Sequence, residues 1–299
     1  MKRFENILNN KKILPYILIF PVVATLLFTI FYPLLDGIRI SFFDIKIPII
    51  GKESNFIGFE NYKEMFGRPE FWGSFKTTII YTFLFVVGSA IFGILTALLL
   101  NLEFRGRAIA RAAIIIPWAM PYIVAVLVWR WILDYNFGVL NFILKDILHL
   151  INEPIAWASD PRIVLFTVIM IAIWKEFPIA TVMYLAALQT VPKDLYEAAE
   201  VDGASNFKKF IHITLPMLKS VNYTVLLLLT IWGFKRVTVI YVLTKGGPAR
   251  ATETLVIQSY LEAFSFFHTS YGAAIGTFML VVSLIISIIY LKVGLKSNT

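Results

Sequence analysis

The stretch "VLFTVIMIAIWKEFPIATVMYLAAL", Val164 to Leu188, decides how the rest of the chain is read. A helix needs about 20 mostly apolar residues to cross the hydrocarbon of a bilayer, and this run supplies them. Yet it carries Lys175 and Glu176 near its middle. A charge at the centre of a membrane helix costs at least ~2.5 kcal/mol on insertion scales, so both side chains are expected to face a polar interior. Adjacent residues diverge by about 100° around a helix. The pair therefore cannot neutralise itself side-on, and each member is expected to look toward another helix. Pro178 removes a backbone donor two positions later and can bend the span.

Composition extends this reading to the whole chain. Of 299 residues, 59% are hydrophobic and only 15% charged, with a mean hydropathy of +0.77, values that a water-exposed surface could not carry. Working outward from Val164, six apolar segments are long enough to span: Ile13 to Phe43, Phe75 to Leu102, Arg107 to Leu133, Arg162 to Gln189, Lys219 to Thr244 and Thr269 to Leu291. Lipid cannot satisfy an open backbone, so they are expected to be helices, and the fold class is an all-α polytopic membrane protein. Pro117 and Pro121 are expected to bend the third span. The expected organisation is a short N-terminal segment 1–12, one transmembrane domain 13–291 and a short C-terminal segment 292–299. The basic opening residues precede an apolar run longer than a signal-peptide core, with no small-residue cleavage site behind it, and read as part of a retained first span.

The net charge of +8 comes from Lys and Arg that flank apolar segments, not from a patch interleaved with exposed aromatics, which argues against nucleic acid. These residues instead orient the chain. With the N-terminus inside, Lys2, Arg3, Lys11 and Lys12, then Arg105, Arg107 and Arg111, then Lys193, Lys208, Lys209 and Lys219, and finally Lys292 and Lys296 fall on short inner segments. Fewer, among them Lys46, Lys52, Lys63 and Arg250, are spread over longer outer ones. The positive-inside rule then places both termini in the cytoplasm. Trp72, Trp129, Trp131 and Trp157 fall near the outer boundary, where amphipathic rings favour the headgroup layer. Zero cysteines exclude disulfides and thiolate sites, and His149, His212 and His268 have no ligand spacing, so no metal or other cofactor is expected.

Between spans four and five the chain turns polar over residues 190–218. Pro192 suits the first turn of a helix, Asp194 and Glu197 its positive end, and Gly203 after Asp202 a left-handed C-terminal turn. Ser205 or Asn206 can cap a second helix, and Pro216 marks the redirection into span five. Leu195, Ala198, Ala199 and Asp202 share one side of the first helix. The small Ala198 and Ala199 let another surface approach, and Glu197 and Glu200 offer anionic contacts. An amphipathic helix lying on lipid headgroups is the alternative, but Asp194, Glu197, Glu200 and Asp202 would be repelled by an anionic leaflet. A protein partner fits better.

On these residues a resemblance becomes close. "EAAEVDGASNFKKFIHITLPML" resembles the EAA loop of ABC importer permease subunits, with Glu197, Ala198, Ala199, Asp202, Gly203, Ala204, Ile213, Leu215 and Pro216 standing at the pattern's positions. "LTKGGPARATETL", Leu243 to Leu255, resembles the outer loop before the last span in carbohydrate permeases of the maltose and glycerol-phosphate type, and "LPYILIFPVVATLLFTIFYPLL" resembles their first span. The resemblance implies coupling helices that dock on a cytoplasmic ATPase, with contacts at Glu197, Ala198, Ala199, Asp202 and Gly203. It also implies a second, related permease, two ATPase subunits, an external solute-binding protein and a sugar substrate, all in a lipid membrane. No phosphate-cradling G-x-x-x-x-G-K-[ST] loop occurs, so ATP hydrolysis is expected in another subunit.

Candidate pathway residues are Trp174, Lys175 and Glu176 in span four, and Trp232, Lys235 and Arg236 in span five. Aromatic faces stack on sugar rings while charged groups bind hydroxyls. The plainer alternative is that these groups snorkel outward or hold helices together. The basic residues also leave a phosphorylated polyol such as a glycerol phosphate open as substrate. An ion-coupled secondary transporter using Lys175 and Glu176 as a relay would need no docking loop and would often show inverted repeats, of which none is evident.

Overall fold

The computed structural model describes residues 14–45 and 55–296. Expectations about residues 1–13, Lys46, Lys52 and the last three residues lie outside the described residues. The described residues are all-α apart from one two-residue antiparallel pairing, β1 (Phe43–Asp44) with β2 (Asn55–Phe56), in which Phe43 faces Phe56. Five helices are long and apolar enough to cross a membrane: α1 (Leu14–Ile40), α3 (Pro69–Asn101), α7 (Val164–Leu188), the segment Lys219–Thr244, and the last helix, starting at Thr269. Between α1 and α3 lies the short α2 (Glu60–Gly67).

The third expected span is not one helix. It is α4 (Arg107–Ala119) and α5 (Tyr122–Ile132), bent by 96° at the break. Pro121 is the cause. The residue before a proline is pushed out of the helical region, and Met120 accordingly has ψ 141°. Pro117 and Pro178 stay inside α4 and α7, whose helices continue through them. The fifth span is also interrupted. It consists of α10 (Lys219–Phe234) and α11 (Thr238–Thr244), with Lys235, Arg236 and Val237 outside either helix.

The remaining elements are α6 (Val139–Phe142), α8 (Lys193–Val201), α9 (206–217, from Asn206 through one π turn), α12 (255–265, ending in a π turn) and α13 (Thr269–Lys296). After α5, Asp134 accepts from the backbone N–H groups of Phe137 and Asn136, which hold its carboxyl below the usual carboxylate range.

Among the described residues two compact units result, one from the residues up to 67 with 259–278 and one from 68–258 with those after 278. In the first, Asn61 donates to the carbonyls of Ser41 and Phe43, and Ser41 shares a 2.6 Å hydrogen bond with Tyr62. Ser270 pairs with the backbone of Ile45, and Gly272 lets the start of α13 approach Ala263 of α12. None of the residues of α1 is buried. Its threonine hydroxyls are satisfied within the helix, Thr25 to Pro21 O and Thr29 to Thr25 O, as an apolar surrounding requires.

In the second unit α3 lies along α7 as the most extensive helix pairing. Ser89, Gly93 and Ala97, one turn apart, are buried on α3. Small residues at this spacing let membrane helices approach closely. A Cβ placed on Gly93 would stand 2.6 Å from the Cβ of Ala180. Gly233 of α10 is equally close to the ring of Phe85, which lies parallel to Tyr81 at 6.0 Å.

The loop 245–254 is folded largely inward. Thr252, Glu253 and Thr254 are buried: Ser74 donates to Glu253, Thr252 bonds Thr244 and Gly247, and Thr78 accepts from the backbone N–H of Leu255. Only Lys245, Ala249 and Arg250 are exposed within it. Burying this polar loop is tolerable because the side chains of Thr252 and Glu253 are hydrogen-bonded, whereas the Thr254 hydroxyl has no hydrogen-bond partner among the described residues.

Gly93→Leu is expected to destabilise the purified protein by about 1–3 kcal/mol through overpacking. Gly73→Ala, where the added Cβ meets nothing within 4 Å, should be neutral or stabilising by up to ~1 kcal/mol. Thermal unfolding in detergent compares the two, and equal behaviour would refute the close α3–α7 approach.

Candidate functional site

Lys175 and Glu176 lie at the centre of α7, each only 4% exposed. Their divergence around the helix sends them to two different neighbours. Lys175 donates through Nζ to the carbonyl oxygen of Trp118 at 2.7 Å, in the last turn of α4. The carbonyls of a helix end lack partners within the helix and carry partial negative charge, so the ammonium both satisfies one and favours the dipole. Glu176 accepts at 2.8 Å from Arg236, in the break between α10 and α11. The middle of one unbroken span thus holds the interruptions of two broken ones.

Tyr122, the first residue of α5, lies between these contacts. Its ring centroid is 5.0 Å from the Lys175 ammonium and 4.5 Å from the Arg236 guanidinium carbon, both within cation–π range. Tyr81 of α3 is within electrostatic reach of both Arg236 and Glu176. Its hydroxyl, the Nε of Arg236 and the indole nitrogen of Trp129 are buried with no hydrogen-bond partner among the described residues. Unsatisfied buried polar groups cost free energy, and the Arg236 Nε is one of them within the charged centre itself.

Of the six candidate pathway residues, Lys175, Glu176 and Arg236 therefore come together. Trp174 meets Trp129 edge-to-face, with centroids 5.4 Å apart. Trp232 is half-buried and Lys235 exposed, and neither joins the hydrogen-bonded cluster. Sequence reasoning missed Tyr122, Tyr81 and the carbonyl of Trp118. The position of Tyr122 directly after Pro121 was the available signal, since a break exposes helix ends to ligands.

The loop 190–218 folds as two short helices. Pro192 stands one residue before α8 instead of inside its first turn. At the other end Gly203 has φ +73°, the amide of Ala204 bonds the carbonyl of Ala199 and that of Gly203 the carbonyl of Glu200. These are the paired bonds of a Schellman turn. Ser205 caps α9 by accepting from the amide of Lys208. Two side-chain ties join the helices, Lys209 to Glu200 at 2.5 Å and Tyr196 to Thr214 at 3.0 Å.

Glu197, Ala198, Asp202 and Gly203 are exposed, and Ala199 is half-buried. Around them Val201 is 89% and Phe207 71% exposed, large apolar side chains on a polar loop that sequence reasoning did not single out. An apolar pair rimmed by carboxylates suits a protein contact.

Helices that are apolar toward their surroundings, charged at their joints and linked by a folded polar loop define an integral membrane component of a transport system. Residues 89–294 match the family described as binding-protein-dependent transport system inner membrane component, and the chain belongs to that family. It is 38% identical to the trehalose/maltose transport system permease protein MalF of Thermococcus litoralis, over 94% of this chain and 93% of that one. It is 35% identical to the sulfoquinovosyl glycerol transport system permease protein SmoG of Agrobacterium fabrum, over 94% and 90%. A chain in the crystal structure of a bacterial ABC transporter involved in import of the acidic polysaccharide alginate shares the fold, with a TM-score of 0.82, 22% identity and 99% coverage of both chains. The protein is thus an integral inner-membrane permease component.

Removing one partner of a buried ion pair leaves an uncompensated charge and costs roughly 3–5 kcal/mol. Glu176→Ala and Arg236→Ala are each expected to lower stability to that degree, and the double variant by clearly less than their sum. A thermal double-mutant cycle measures this, and additivity would show that the pair is energetically uncoupled. Gly203→Val meets no steric neighbour, so its cost of ~1–2 kcal/mol would come from the left-handed backbone alone.

Proposed function

We propose that the chain is one permease subunit of an ATP-driven, binding-protein-dependent sugar importer, forming half of the translocation pathway with a related permease. Two ATPase subunits power the cycle and an external binding protein delivers the sugar. The observation that carries this reading is the folded loop 190–218: a Schellman-capped helix presenting Glu197, Ala198 and Asp202 outward, braced by Glu200–Lys209, has the form of a docking element. Ala198 and Ala199 permit close approach, and Glu197 offers a carboxylate to a basic contact. Closing of the ATPases would move this loop as a unit, and the spans it joins, α7 and α10, would switch the pathway's access.

The sugar class is supported by relatives named for trehalose and maltose, for sulfoquinovosyl glycerol and, in Streptomyces coelicolor, for diacetylchitobiose. In this reading Lys175, Glu176 and Arg236 border the pathway, where a carboxylate and a guanidinium side by side bind neighbouring hydroxyls. Trp174 offers a ring face for stacking. Both termini and the loop 190–218 lie in the cytoplasm, following the excess of Lys and Arg on those segments.

Two measurements test this. Glu197→Lys is expected to weaken co-purification with the ATPase and to abolish substrate-stimulated ATP hydrolysis in reconstituted complexes, with normal membrane insertion. Full coupling would remove the loop from the mechanism. Lys63 and Lys208 are both exposed, so an impermeant amine reagent on intact cells should label the first and spare the second. The reverse pattern would invert the topology. A binding screen of sugars and phosphorylated polyols against the cognate binding protein separates the two substrate classes.

A further inference from the structure

A cavity of about 690 Å³ opens behind the loop 190–218, within the size range of ligand pockets. Leu95 and Leu98 of α3, Leu102 just beyond its end, Leu188 at the end of α7 and Phe210 of α9 form its apolar floor. Tyr196, Asn206 and Lys209 stand at its polar rim. The outward helix face that carries Glu197 does not line it.

The cavity sits where α3 ends at Asn101 and α7 at Leu188, the depth at which hydrocarbon gives way to headgroups. An exposed apolar stripe on α3, Ile91, Leu95 and Leu99 at helical spacing, runs directly into it. The floor is thus continuous with a surface that faces lipid tails. At the rim the side chain of Lys209 is only 12% exposed, while its partner Glu200 is 65% exposed. Glu200 can swing into water at little cost, leaving the ammonium to another anion of the right reach. The amide of Asn206 supplies a further donor beside it.

We propose that this cavity binds an anionic phospholipid, with an acyl chain along the α3 leucines and the phosphate on Lys209 and Asn206, displacing Glu200. An apolar trough of this size, open to the membrane and ending in a half-buried cation, matches an amphiphile better than a free phosphate, which would leave the trough unfilled. The lipid then lies between α3 and the two coupling-loop helices. The assignment needs neither the sugar nor the side of the membrane on which the loop lies.

The test uses the full transport complex, purified in mild detergent and re-exposed to radiolabelled phosphatidylglycerol or phosphatidylcholine. The complex should retain phosphatidylglycerol in preference to phosphatidylcholine. Leu95→Trp, which fills the trough from an exposed position, and Lys209→Gln should each lower retention by about fivefold or more. Leu284→Trp, on an exposed position of α13, should leave it unchanged. Glu200→Gln should raise retention by freeing Lys209. Parental retention in both Leu95→Trp and Lys209→Gln would overturn the site, as would equal retention of the two lipids for its anionic part. A photoreactive residue at Leu99 should capture lipid, and capture of a second subunit instead would assign the cavity to a protein interface. If Leu95→Trp fails to assemble, Lys209→Gln and the Leu99 cross-link still decide.

Discussion

The second unit is organised around two contacts made by consecutive residues of one helix. Lys175 reaches the end of α4 and Glu176 reaches Arg236 between α10 and α11, so α7 ties together two spans that would otherwise be broken without compensation. An interrupted membrane helix leaves backbone groups that lipid cannot satisfy. The same interruption makes room for a charge. Each defect is thereby the partner of the other: the breaks need ions, and the ions need partners inside the protein.

Close packing of α3 on α7 holds that arrangement. Gly93 and Ala180 bring the two backbones together, and Tyr81 and Phe85 of α3 extend toward the charged centre and Gly233. Without a hydrophobic drive between helices in lipid, such small-residue contacts supply dispersion and specificity. The large exposed apolar side chains along α1, α3 and α13 face outward and are suited to lipid or to neighbouring subunits.

The loop 190–218 shows how a rigid element is made from few residues. A glycine-ended helix, a capped second helix and two side-chain ties between them hold its two helices together. Tyr196 and Ala199 are half-buried while Glu197 and Ala198 are exposed, so one short helix separates an outward polar face from a side that lines the cavity behind it.

How much was legible in sequence follows from the range of the forces involved. Span positions, the need for Lys175 and Glu176 to look in different directions, the left-handed turn at Gly203 and a cap at Ser205 or Asn206 were readable, and the structure puts the cap at Ser205. They depend on hydropathy, helix geometry and local backbone preference, all properties of contiguous residues. The 96° break was only half readable: Pro117 and Pro121 looked equivalent, but one lies inside a helix and the other before one, and neighbours decide which proline ends the helix. The burial of Thr252, Glu253 and Thr254, the place of Tyr122 between two cations and the choice of Arg236 over Lys235 as partner were not readable. Each depends on which residue of a distant segment arrives within a few ångströms, and only tertiary packing sets that distance.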